Sequence, residues 1–274
     1  MKKLMFSVAI SVYKNDNAEH FDTALDSITE KQSVKPDEIV LVVDGPVSDD
    51  INAVIKKYEG NYNLKVIRFE KNQGLGIALK NAVENASNDI IARMDSDDIA
   101  VPDRFEQQLK CFYEDSDLDI VGGDISEFIG AEDNIVSKRQ VPLSDKDIKV
   151  YMKTRCAMNH VSVMFKKDAV LKAGNYVDWF WNEDYYLWIR MWEAGCFFKN
   201  TGTVLVNVRI GADMYKRRGG MKYFKSEKGL QRYMLDKHLI GYRTYMLNII
   251  KRLVLQVLMP NSLRGWVFKR FARK

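Results

Sequence analysis

The chain has 274 residues, of which 46% are hydrophobic and 29% charged, and this ordinary composition excludes a collagen-like or largely disordered protein. Such a length can bury a full core, so it predicts one large domain, or one domain followed by a tail. The three cysteines are widely spaced and form no Cys-x-x-Cys pair, which argues against structural zinc and predicts reduced thiols in the cytoplasm. No apolar run is long enough for a signal peptide or a membrane span, and we expect neither.

Charge is distributed unevenly along the chain. Residues 237–274 contain nine Lys and Arg and no Asp or Glu; since the whole chain carries +5, the first 236 residues carry −4. A nucleic-acid-binding protein typically has its basic patch across the folded body. We therefore expect no nucleic-acid partner, and instead a folded body held at an anionic surface by its basic end.

In the first half of the chain, short β-rich runs alternate with helical patterns. Strands are predicted at 6–12, 39–43, 65–69 and 90–94, and helices at 18–29, 49–58 and 76–85. This alternation predicts a mostly parallel sheet with helices on both faces. Ligands of such sheets bind beyond the carboxyl ends of the strands, so we expect the chemistry of the protein there.

The second half has a less regular pattern. A helix is predicted from Pro102 to residue 114, with the proline in its first turn. After residues 119–121 the pattern is less regular as far as residue 142; strands then follow at 161–165 and 204–208, and helices at 167–173 and 183–193. The sequence shows no internal repeat or clear linker, so this half is expected to pack on the same sheet.

Three carboxylates, Asp95, Asp97 and Asp98, directly follow the strand predicted at 90–94. Like charges this close repel one another, so a fold tolerates them best when a cation holds them together. Asp95 and Asp97 are two residues apart, which on an extended backbone directs both side chains to one side. Such oxygen ligands suit Mg²⁺ or Mn²⁺ bound to a phosphate. The alternative is a solvated acidic turn that begins the next helix.

Candidate nucleotide contacts follow the other strands. Tyr13 comes after the first strand and Asp44 after the second, so the two could stack on a base and accept its N–H. Alternatively, Asp44 and Gly45 are simply a common turn pair. The glycine-containing stretch 72–76 precedes a helix and could offer backbone N–H groups to a phosphate, although a flexible turn is an equally good interpretation.

Glu183 and Asp184 open the helix predicted at 183–193, beside Trp181 and Tyr185. Aromatic surfaces stack on sugar rings, and a carboxylate beside them is a candidate general base. Alternatively, either acid stabilises the helix N-terminus through the helix dipole.

Two further features have weaker sequence signals. Arg217 and Arg218 are followed by two glycines and could close over a diphosphate, but an isolated basic turn has the same composition. His160, near a strand start, is by itself typical of a hydrogen-bonded structural histidine.

The order of these motifs resembles that of family 2 glycosyltransferases, which have the GT-A nucleotide-sugar fold. The resemblance covers residues 5–220 and extends to bacterial members that build exopolysaccharide, capsule or O-antigen units. The motifs that carry it are the run 7–13, Val43-Asp44-Gly45, Asn72-Gln73-Gly74, Arg93-Met94-Asp95-Ser96-Asp97-Asp98, Pro102-x-Arg104, the run 183–190 and Arg217-Arg218-Gly219-Gly220.

The resemblance implies roles for individual residues. Asp97 would ligate the metal and Asp95 would contact the ribose or the metal, while Asp184 would be the catalytic base with Glu183 beside it. Two departures from the family pattern concern base recognition and loop closure: a single aspartate precedes Gly45, and the histidine that many relatives carry near residue 211 is absent. Donor contacts are implied for Tyr13, Asp44, Asn72, Gly74, Arg93, Arg217 and Arg218, and acceptor contacts for Trp181, Tyr185 and His160.

The implied activity is an inverting, metal-dependent hexosyl transfer using Mn²⁺ or Mg²⁺. The donor is expected to be a nucleoside-diphosphate sugar, UDP-linked, and the acceptor a glycan on a polyprenyl diphosphate. Residues 1–236 are then the catalytic domain, with a nucleotide-binding half at 1–120 and an acceptor half at 121–236. One alternative is a non-catalytic nucleotide-sugar-binding or scaffold protein, which the presence of both Asp97 and Asp184 disfavours. A nucleotidyltransferase would carry a Gly-rich basic loop after the first strand, and residues 11–15 lack it.

Residues 237–274 are predicted to form a basic amphipathic helical tail. Asn248, Lys251, Arg252 and Gln256 share one helical face, and apolar residues cover the rest. This pattern favours a helix lying in the plane of an anionic membrane, which places the protein in the cytoplasm, peripheral on the inner face of the cell membrane. A helix packed on the body or on a second copy is the alternative.

Overall fold

The computed structural model describes residues 3–211 and 219–259, and its first half follows the predicted alternation closely. β1 pairs in parallel with both β2 and β4, and β2 pairs in parallel with β3, so these four strands end at the same edge of the sheet. The elements in chain order are β1 (Phe6–Val12), α1 (Ala18–Ile28), β2 (Glu38–Val43), α2 (Asp49–Glu59), β3 (Leu64–Arg68), α3 (Leu75–Asn85) and β4 (Ile90–Met94).

The second half continues the same sheet, as expected. Its elements are β5 (Ile99–Ala100), α4 (Arg104–Glu114), β6 (Ile120–Phe128), β7 (Ile135–Arg139), α5 (Asp145–Met152), β8 (Met164–Lys166), α6 (Lys167–Lys172), α7 (Glu183–Glu193) and β9 (Phe198–Arg209). β8 joins the halves because it pairs antiparallel to both β4 and β6. Among the described residues, the sheet has nine strands in the order β3-β2-β1-β4-β8-β6-β9-β5, with β7 paired to β6.

Two local predictions are wrong, and so is the alternative in which the acidic turn begins the next helix. The strand predicted at 161–165 begins instead as a 3₁₀ helix (His160–Ser162), and only β8 is extended. α4 begins at Arg104, so Pro102 precedes the helix rather than lying in its first turn. Asp98 leads into β5 and not into a helix, because the β5 residues pair with β9.

Apolar side chains fill both faces of the sheet. β1 shows the division, since Ala9 belongs to one buried cluster and Val8 and Ile10 belong to the other. All six residues of β2 are buried, as expected for a parallel strand covered on both sides. The strands are thus fixed by packing along their length, and their polar carboxyl ends are the part that remains available for chemistry.

Buried polar side chains tie α4 to the centre of the sheet. Arg104 Nη2 donates to the carbonyl oxygen of Arg93 at 2.6 Å, and Gln108 Nε2 donates to the carbonyl oxygens of Ser162 at 2.8 Å and Val121 at 3.1 Å. These bonds reach strands of both halves. They also fix the end of β4, where the acidic loop begins.

Two helices and a π-helical segment end the described part of the chain. They are α8 (Met221–Asp236), α9 (Tyr242–Arg252) and the π-helix Leu253–Leu258. The predicted tail is therefore helical from Tyr242 to Leu258, and its later aromatic and basic residues, from Arg264 to Lys274, lie outside the described residues. In residues 3–211 and 219–259, no helix is both long and apolar enough to cross a membrane.

α9 packs on the folded body, in agreement with the alternative interpretation of the tail. Asn248 and Gln256 are buried, and Arg252 pairs with Glu227 of α8. Lys251 is exposed, so it does not share the buried polar face as predicted. The polar side of the helix faces the protein, and its apolar side is left outward.

Candidate functional site

The acidic loop begins where β4 ends, and its first carboxylate, Asp95, is held by a buried arginine. Both oxygens of Asp95 receive the guanidinium of Arg93 in a two-point ion pair. The Arg93 side chain is only 2% exposed; burial by itself lowers its pKa, but the Asp95 charge raises it above the ordinary value. As placed, Arg93 lies too deep to contact a donor. Its predicted role is corrected to that of a support for Asp95.

Asp97 is the exposed carboxylate of the loop. Its backbone oxygen accepts a hydrogen bond from Arg209 Nε at 3.2 Å. Removal from bulk water by the surrounding loop, together with the charges of Asp95 and Asp16, raises the pKa of Asp97 to about 6. A carboxylate that is partly desolvated among like charges gains from a bound cation, which lowers the electrostatic cost of its ionised form.

The residues of this loop fit a divalent cation that is completed by its substrate. The described ranges contain no group of three or more His, Cys, Asp or Glu side chains arranged to hold a metal. Mg²⁺ commonly binds one or two carboxylates and takes its other ligands from phosphate oxygens and water. Asp97 supplies such a carboxylate at the surface, and Asp95, engaged by Arg93, lies beside it.

Two more aspartates set the shape of the loop. Asp98 is buried and accepts a hydrogen bond from the backbone N–H of Arg209 at 2.8 Å, and burial raises its pKa well above the ordinary value. Asp16 accepts from the backbone N–H of Tyr13 at 3.0 Å and from Ser96 Oγ at 2.8 Å. Asp16 was not predicted from the sequence, and Ser96 was noted only as part of the motif at 93–98. The only signal for Asp16 was that, like Asp95, it follows the end of a strand.

Asp44 anchors the loop at 72–74. Its Oδ1 accepts from the backbone N–H of Gln73 at 2.7 Å, and its Oδ2 accepts from the N–H of Gly74 at 2.9 Å and from Asn72 Nδ2 at 2.8 Å. Gly45 has a φ of +88°, and a Cβ there would lie 2.7 Å from the Asn72 nitrogen, so only glycine fits. The structure thus brings the predicted donor residues Asn72 and Gly74 onto Asp44.

Tyr13 lies beside this anchor. It follows β1, which pairs with β2, so its ring and the Asp44 carboxylate start from neighbouring strand ends. The Tyr13 side chain is 38% exposed and remains available to a flat ligand. On the other side, a Cβ at Gly76 would lie 2.8 Å from the backbone oxygen of Val177. The first turn of α3 therefore packs against the segment that leads to Trp181.

Glu183 and Asp184 form the first turn of α7. Burial, followed by the charge of Asp184, raises the pKa of Glu183 to about 7, and burial likewise raises the pKa of Asp184. Burial therefore outweighs the helix dipole, which by itself would favour ionisation. The charges of Arg93 and Asp95 contribute to the pKa of Glu183, so this pair lies within electrostatic range of the acidic loop despite the separation in sequence.

An aromatic surface borders the pair. Trp181 is 49% exposed and stacks on Phe180 with ring centroids 4.9 Å apart, and Tyr223 of α8 lies 6.2 Å from the Trp181 ring. Lys222 Nζ lies 4.0 Å from the centre of the Phe180 ring. Trp181 has a φ of 54°, a left-handed conformation that is rare for large side chains and is often found at functional sites.

α8 holds this aromatic segment in place. Ser226 Oγ donates to the backbone oxygen of Phe180 at 2.7 Å and accepts from Asn182 Nδ2 at 3.0 Å. Trp179 Nε1 donates to the backbone oxygen of Ser226 at 3.3 Å. The residues immediately before Glu183 are therefore bonded to one residue of α8, which the sequence analysis did not identify.

Two residues predicted on the acceptor side lie inward. Tyr185 is 2% exposed and donates to the backbone oxygen of Met152 at 2.5 Å, so it is a core residue and its predicted acceptor contact is corrected. His160 Nε2 lies 2.9 Å from the Tyr176 hydroxyl, and burial lowers the pKa of this histidine well below its ordinary value. This is the structural role that a lone histidine suggests. Arg217 and Arg218 lie outside the described residues.

The family model for "Glycosyl transferase family 2" matches residues 7–171, which include Asp44 and the whole acidic loop. The chain belongs to glycosyltransferase family 2. This confirms the family that the motif order indicated. Glu183 and Asp184 lie beyond the matched range, and their catalytic roles stay predictions.

Similar proteins extend the comparison to the whole chain. It is 36% identical to the amylovoran biosynthesis glycosyltransferase AmsE of Erwinia amylovora, over 97% of this chain and 98% of that protein. It is also 36% identical to the Escherichia coli UDP-Gal:alpha-D-GlcNAc-diphosphoundecaprenol beta-1,3-galactosyltransferase, over 98% of this chain and 97% of that protein.

A solved structure confirms the fold of this family 2 glycosyltransferase. The crystal structure of S. aureus TarS 1-349 in complex with UDP-GlcNAc matches it with a TM-score of 0.65 at 18% identity, over 92% of this chain and 73% of that one. A longer TarS chain, of which this chain covers 44%, gives the same TM-score. At this identity the likeness concerns the fold, and it confirms the GT-A architecture.

Proposed function

We propose that this family 2 glycosyltransferase transfers a hexose, with inversion, from a UDP-sugar to a hydroxyl group of a glycan carried on a polyprenyl diphosphate. The observation that supports the proposal is that the acidic loop after β4, with the exposed Asp97, lies within electrostatic range of the buried Glu183 beside Asp184. The name of the Escherichia coli relative, with its UDP-linked donor and diphosphoundecaprenol-linked acceptor, supports this choice of substrates.

The donor is proposed to lie across the ends of β1, β2 and β4. Tyr13 offers a ring face to the uracil, and Asp44 with the 72–74 loop borders the same pocket. Asp97 would hold Mn²⁺ or Mg²⁺, with Asp95 on the ribose side. The bound cation supplies Lewis-acid stabilisation of charge on the departing diphosphate. Arg217 and Arg218 are proposed to close over the same group.

In the proposed chemical step, Asp184 takes the proton of the acceptor hydroxyl. The hydroxyl oxygen attacks the anomeric carbon, and the bond from that carbon to the diphosphate oxygen breaks, so UDP leaves with the electron pair. Attack opposite the leaving group inverts the configuration. Positioned base catalysis of this kind contributes roughly 10²–10⁴-fold. The raised pKa of Asp184 supports the assignment, because a more basic carboxylate accepts a proton more readily.

The acceptor is proposed to approach over Trp181, whose exposed ring can stack on a sugar. Its lipid would remain in the cytoplasmic face of the cell membrane, where we propose that the enzyme is peripherally bound. The product would then be a unit of a bacterial surface polysaccharide, a setting that the name of the AmsE relative supports.

The test uses the purified full chain, a panel of UDP-hexoses, Mn²⁺ or Mg²⁺, and a synthetic lipid-diphosphate glycan. Asp184→Asn should retain metal-dependent UDP binding and reduce turnover roughly 10²–10⁴-fold, because it removes only the proton acceptor. Asp97→Asn should instead weaken metal-dependent UDP binding at least about tenfold. Asp236→Asn, an exposed carboxylate at the end of α8, is the matched control and should change neither quantity.

Each outcome bears on a separate part of the proposal. Near-parental turnover by Asp184→Asn would refute the base assignment, and metal-dependent binding retained by Asp97→Asn would refute the ligand assignment. A parent chain that binds UDP-sugars but neither transfers nor hydrolyses them would favour the non-catalytic alternative.

A further inference from the structure

The final helical segment buries polar side chains and exposes apolar ones, which is the reverse of an ordinary surface helix. In α9 and the π-helix, the polar residues Asn248 and Gln256 are 2% and 7% exposed. The apolar residues Leu247, Ile250, Val254 and Leu258 are 48%, 53%, 42% and 66% exposed. Soluble helices normally bury the apolar side, so a continuous apolar side facing outward indicates an interaction surface. We call these four apolar residues the outward face.

Specific polar contacts fix this orientation. Asn248 Nδ2 donates to Gln231 Oε1 at 2.7 Å and to the backbone oxygen of Lys153 at 2.8 Å. Arg252 forms an ion pair with Glu227, and both side chains are about nine-tenths buried. A half-turn rotation of the helix would break these bonds and leave Glu227 without its cation, at considerable cost. The outward face is therefore set by built contacts on its opposite side.

The charge around the outward face is positive. Arg243 and Lys251 are exposed on the same helix, and α9 contains no Asp or Glu. The chain continues from Met259 with five more basic residues and no acid. A second copy docked face to face would bring these cations together, whereas an anionic lipid surface would attract them. The chemistry therefore favours lipid over self-association.

α8 contacts both α9 and the segment that precedes the candidate catalytic pair. Glu227 and Gln231 of α8 bind α9, while the neighbouring Ser226 bonds to Phe180 and Asn182, directly before Glu183. A surface bound by α9 would thus lie at a fixed position relative to the Glu183–Asp184 pair. This is the arrangement that an enzyme with a membrane-held acceptor requires.

We propose that the outward face of α9 and the π-helix is a docking surface for an anionic lipid bilayer, with α8 as the rigid link between the bilayer and the acceptor side of the site. The lipid-linked acceptor in this arrangement rests on the proposed function. Docking itself does not, and it can be measured without donor or acceptor.

The test is co-sedimentation of the full chain with vesicles of neutral phosphatidylcholine, with and without anionic phosphatidylglycerol. The parent should bind the anionic vesicles and lose binding as salt rises, because exposed charges are screened. The triple variant Leu247→Ser, Ile250→Ser, Val254→Ser should bind at least about tenfold more weakly, since it removes the apolar surface available for insertion. The matched control Leu143→Ser, Val150→Ser, Leu171→Ser changes equally exposed apolar residues elsewhere and should bind as the parent does.

Circular dichroism on the same samples checks that the variants are folded, and light scattering checks whether they form dimers. The outward-face triple variant should keep parental helicity because its three side chains are exposed. Vesicle binding that survives the triple substitution overturns the proposal. So does a parent that forms a dimer which the substitutions dissociate while neither protein binds vesicles, since the face is then a protein interface. Loss of vesicle binding in the triple variant with unchanged UDP-sugar hydrolysis supports it. Vesicle binding by a parent that transfers no sugar also supports docking, and counts against the proposed function instead.

Discussion

The Asp44 carboxylate accepts hydrogen bonds from two backbone N–H groups and one side-chain amide. It therefore has a structural role in anchoring the 72–74 loop, in addition to the contact with a base that its position suggests. The two roles can be separated experimentally, because loop anchoring is measurable in protein that contains no nucleotide.

We expect Asp44→Asn to lower the free energy of unfolding by about 1–3 kcal/mol. The amide has one accepting oxygen in place of two, so either Gln73 or Gly74 loses an acceptor for its backbone N–H. Asn72→Ala removes only one donor and should cost about 1 kcal/mol or less. Urea unfolding without nucleotide measures both. Parental stability in Asp44→Asn would contradict the anchoring role.

At the scale of single residues, the sequence predicted positions better than partners. The acidic loop and Asp44 were found because a carboxylate directly after an apolar run is a local signal. The burial of Tyr185 depends on where a distant segment packs, here the backbone of Met152. The ion pair of Arg93 with Asp95 is local in sequence, but its inward position depends on the burial of Arg93 in the sheet. No local pattern encodes such burial, and these two roles had to be corrected.

The start of α7 shows how an element can reverse a local tendency. The dipole of the helix favours ionised carboxylates at this end, yet burial raises the pKa of both Glu183 and Asp184. Since the repulsion between two carboxylates is mutual, they titrate as a pair. The base has to be ionised to accept a proton, so activity should be lost as pH falls through the raised pKa of the pair.

We therefore expect kcat/KM for transfer to rise with pH and to fall as the pH is lowered through the raised pKa values of this pair, of which that of Glu183 is about 7. Glu183→Gln removes the like charge beside Asp184, so it should shift this acidic limb to lower pH by roughly one unit. Glu193→Gln, at the other end of the same helix, is the control and should leave the limb in place. An unshifted limb in Glu183→Gln would show that the two carboxylates do not titrate together.

Hydrophobic periodicity predicted the helix α9 but not which of its sides faces the protein. The sequence separated a polar side from an apolar side, but it did not indicate which of them faces the protein. That choice depends on Glu227 and Gln231 of α8, which offer the polar side an ion pair and a hydrogen bond. Amphipathic spacing thus predicts that a helix exists, and the partner surface decides its rotation.

For the molecule as a whole, strand-helix alternation predicted the architecture because it reflects chain-long burial rather than single contacts. The two halves then share one sheet through the short strand β8. β8 has only three residues, so further contacts are needed to secure the junction. Arg104 and Gln108 of α4 provide them, with hydrogen bonds that reach Arg93 in one half and Ser162 and Val121 in the other.

Arg104 is the sharpest test of that junction. It is fully buried, and its hydrogen bonds go to neutral acceptors: Gln108 Oε1 and the carbonyl oxygens of Arg93 and Val163. Burial, with the neighbouring Arg93 charge, lowers its pKa to about 9, so the fold bears a cost to keep this cation inside. A fold keeps a charged group buried only where its hydrogen bonds outweigh the desolvation cost.

We expect Arg104→Met, which keeps most of the side-chain volume, to lower the free energy of unfolding by roughly 2–4 kcal/mol, because it removes the buried guanidinium donors to the Arg93 carbonyl oxygen and to Gln108 Oε1. Asp95 and Asp97 follow the strand that it supports, so metal-dependent UDP binding should weaken under conditions where the variant is still folded. Arg232→Met removes an exposed arginine paired with Asp236 and should change stability by less than about 0.5 kcal/mol. Urea unfolding and calorimetric titration with UDP measure the two effects separately. Parental stability in Arg104→Met would mean that backbone pairing through β8 is by itself sufficient to hold the two halves of the sheet together.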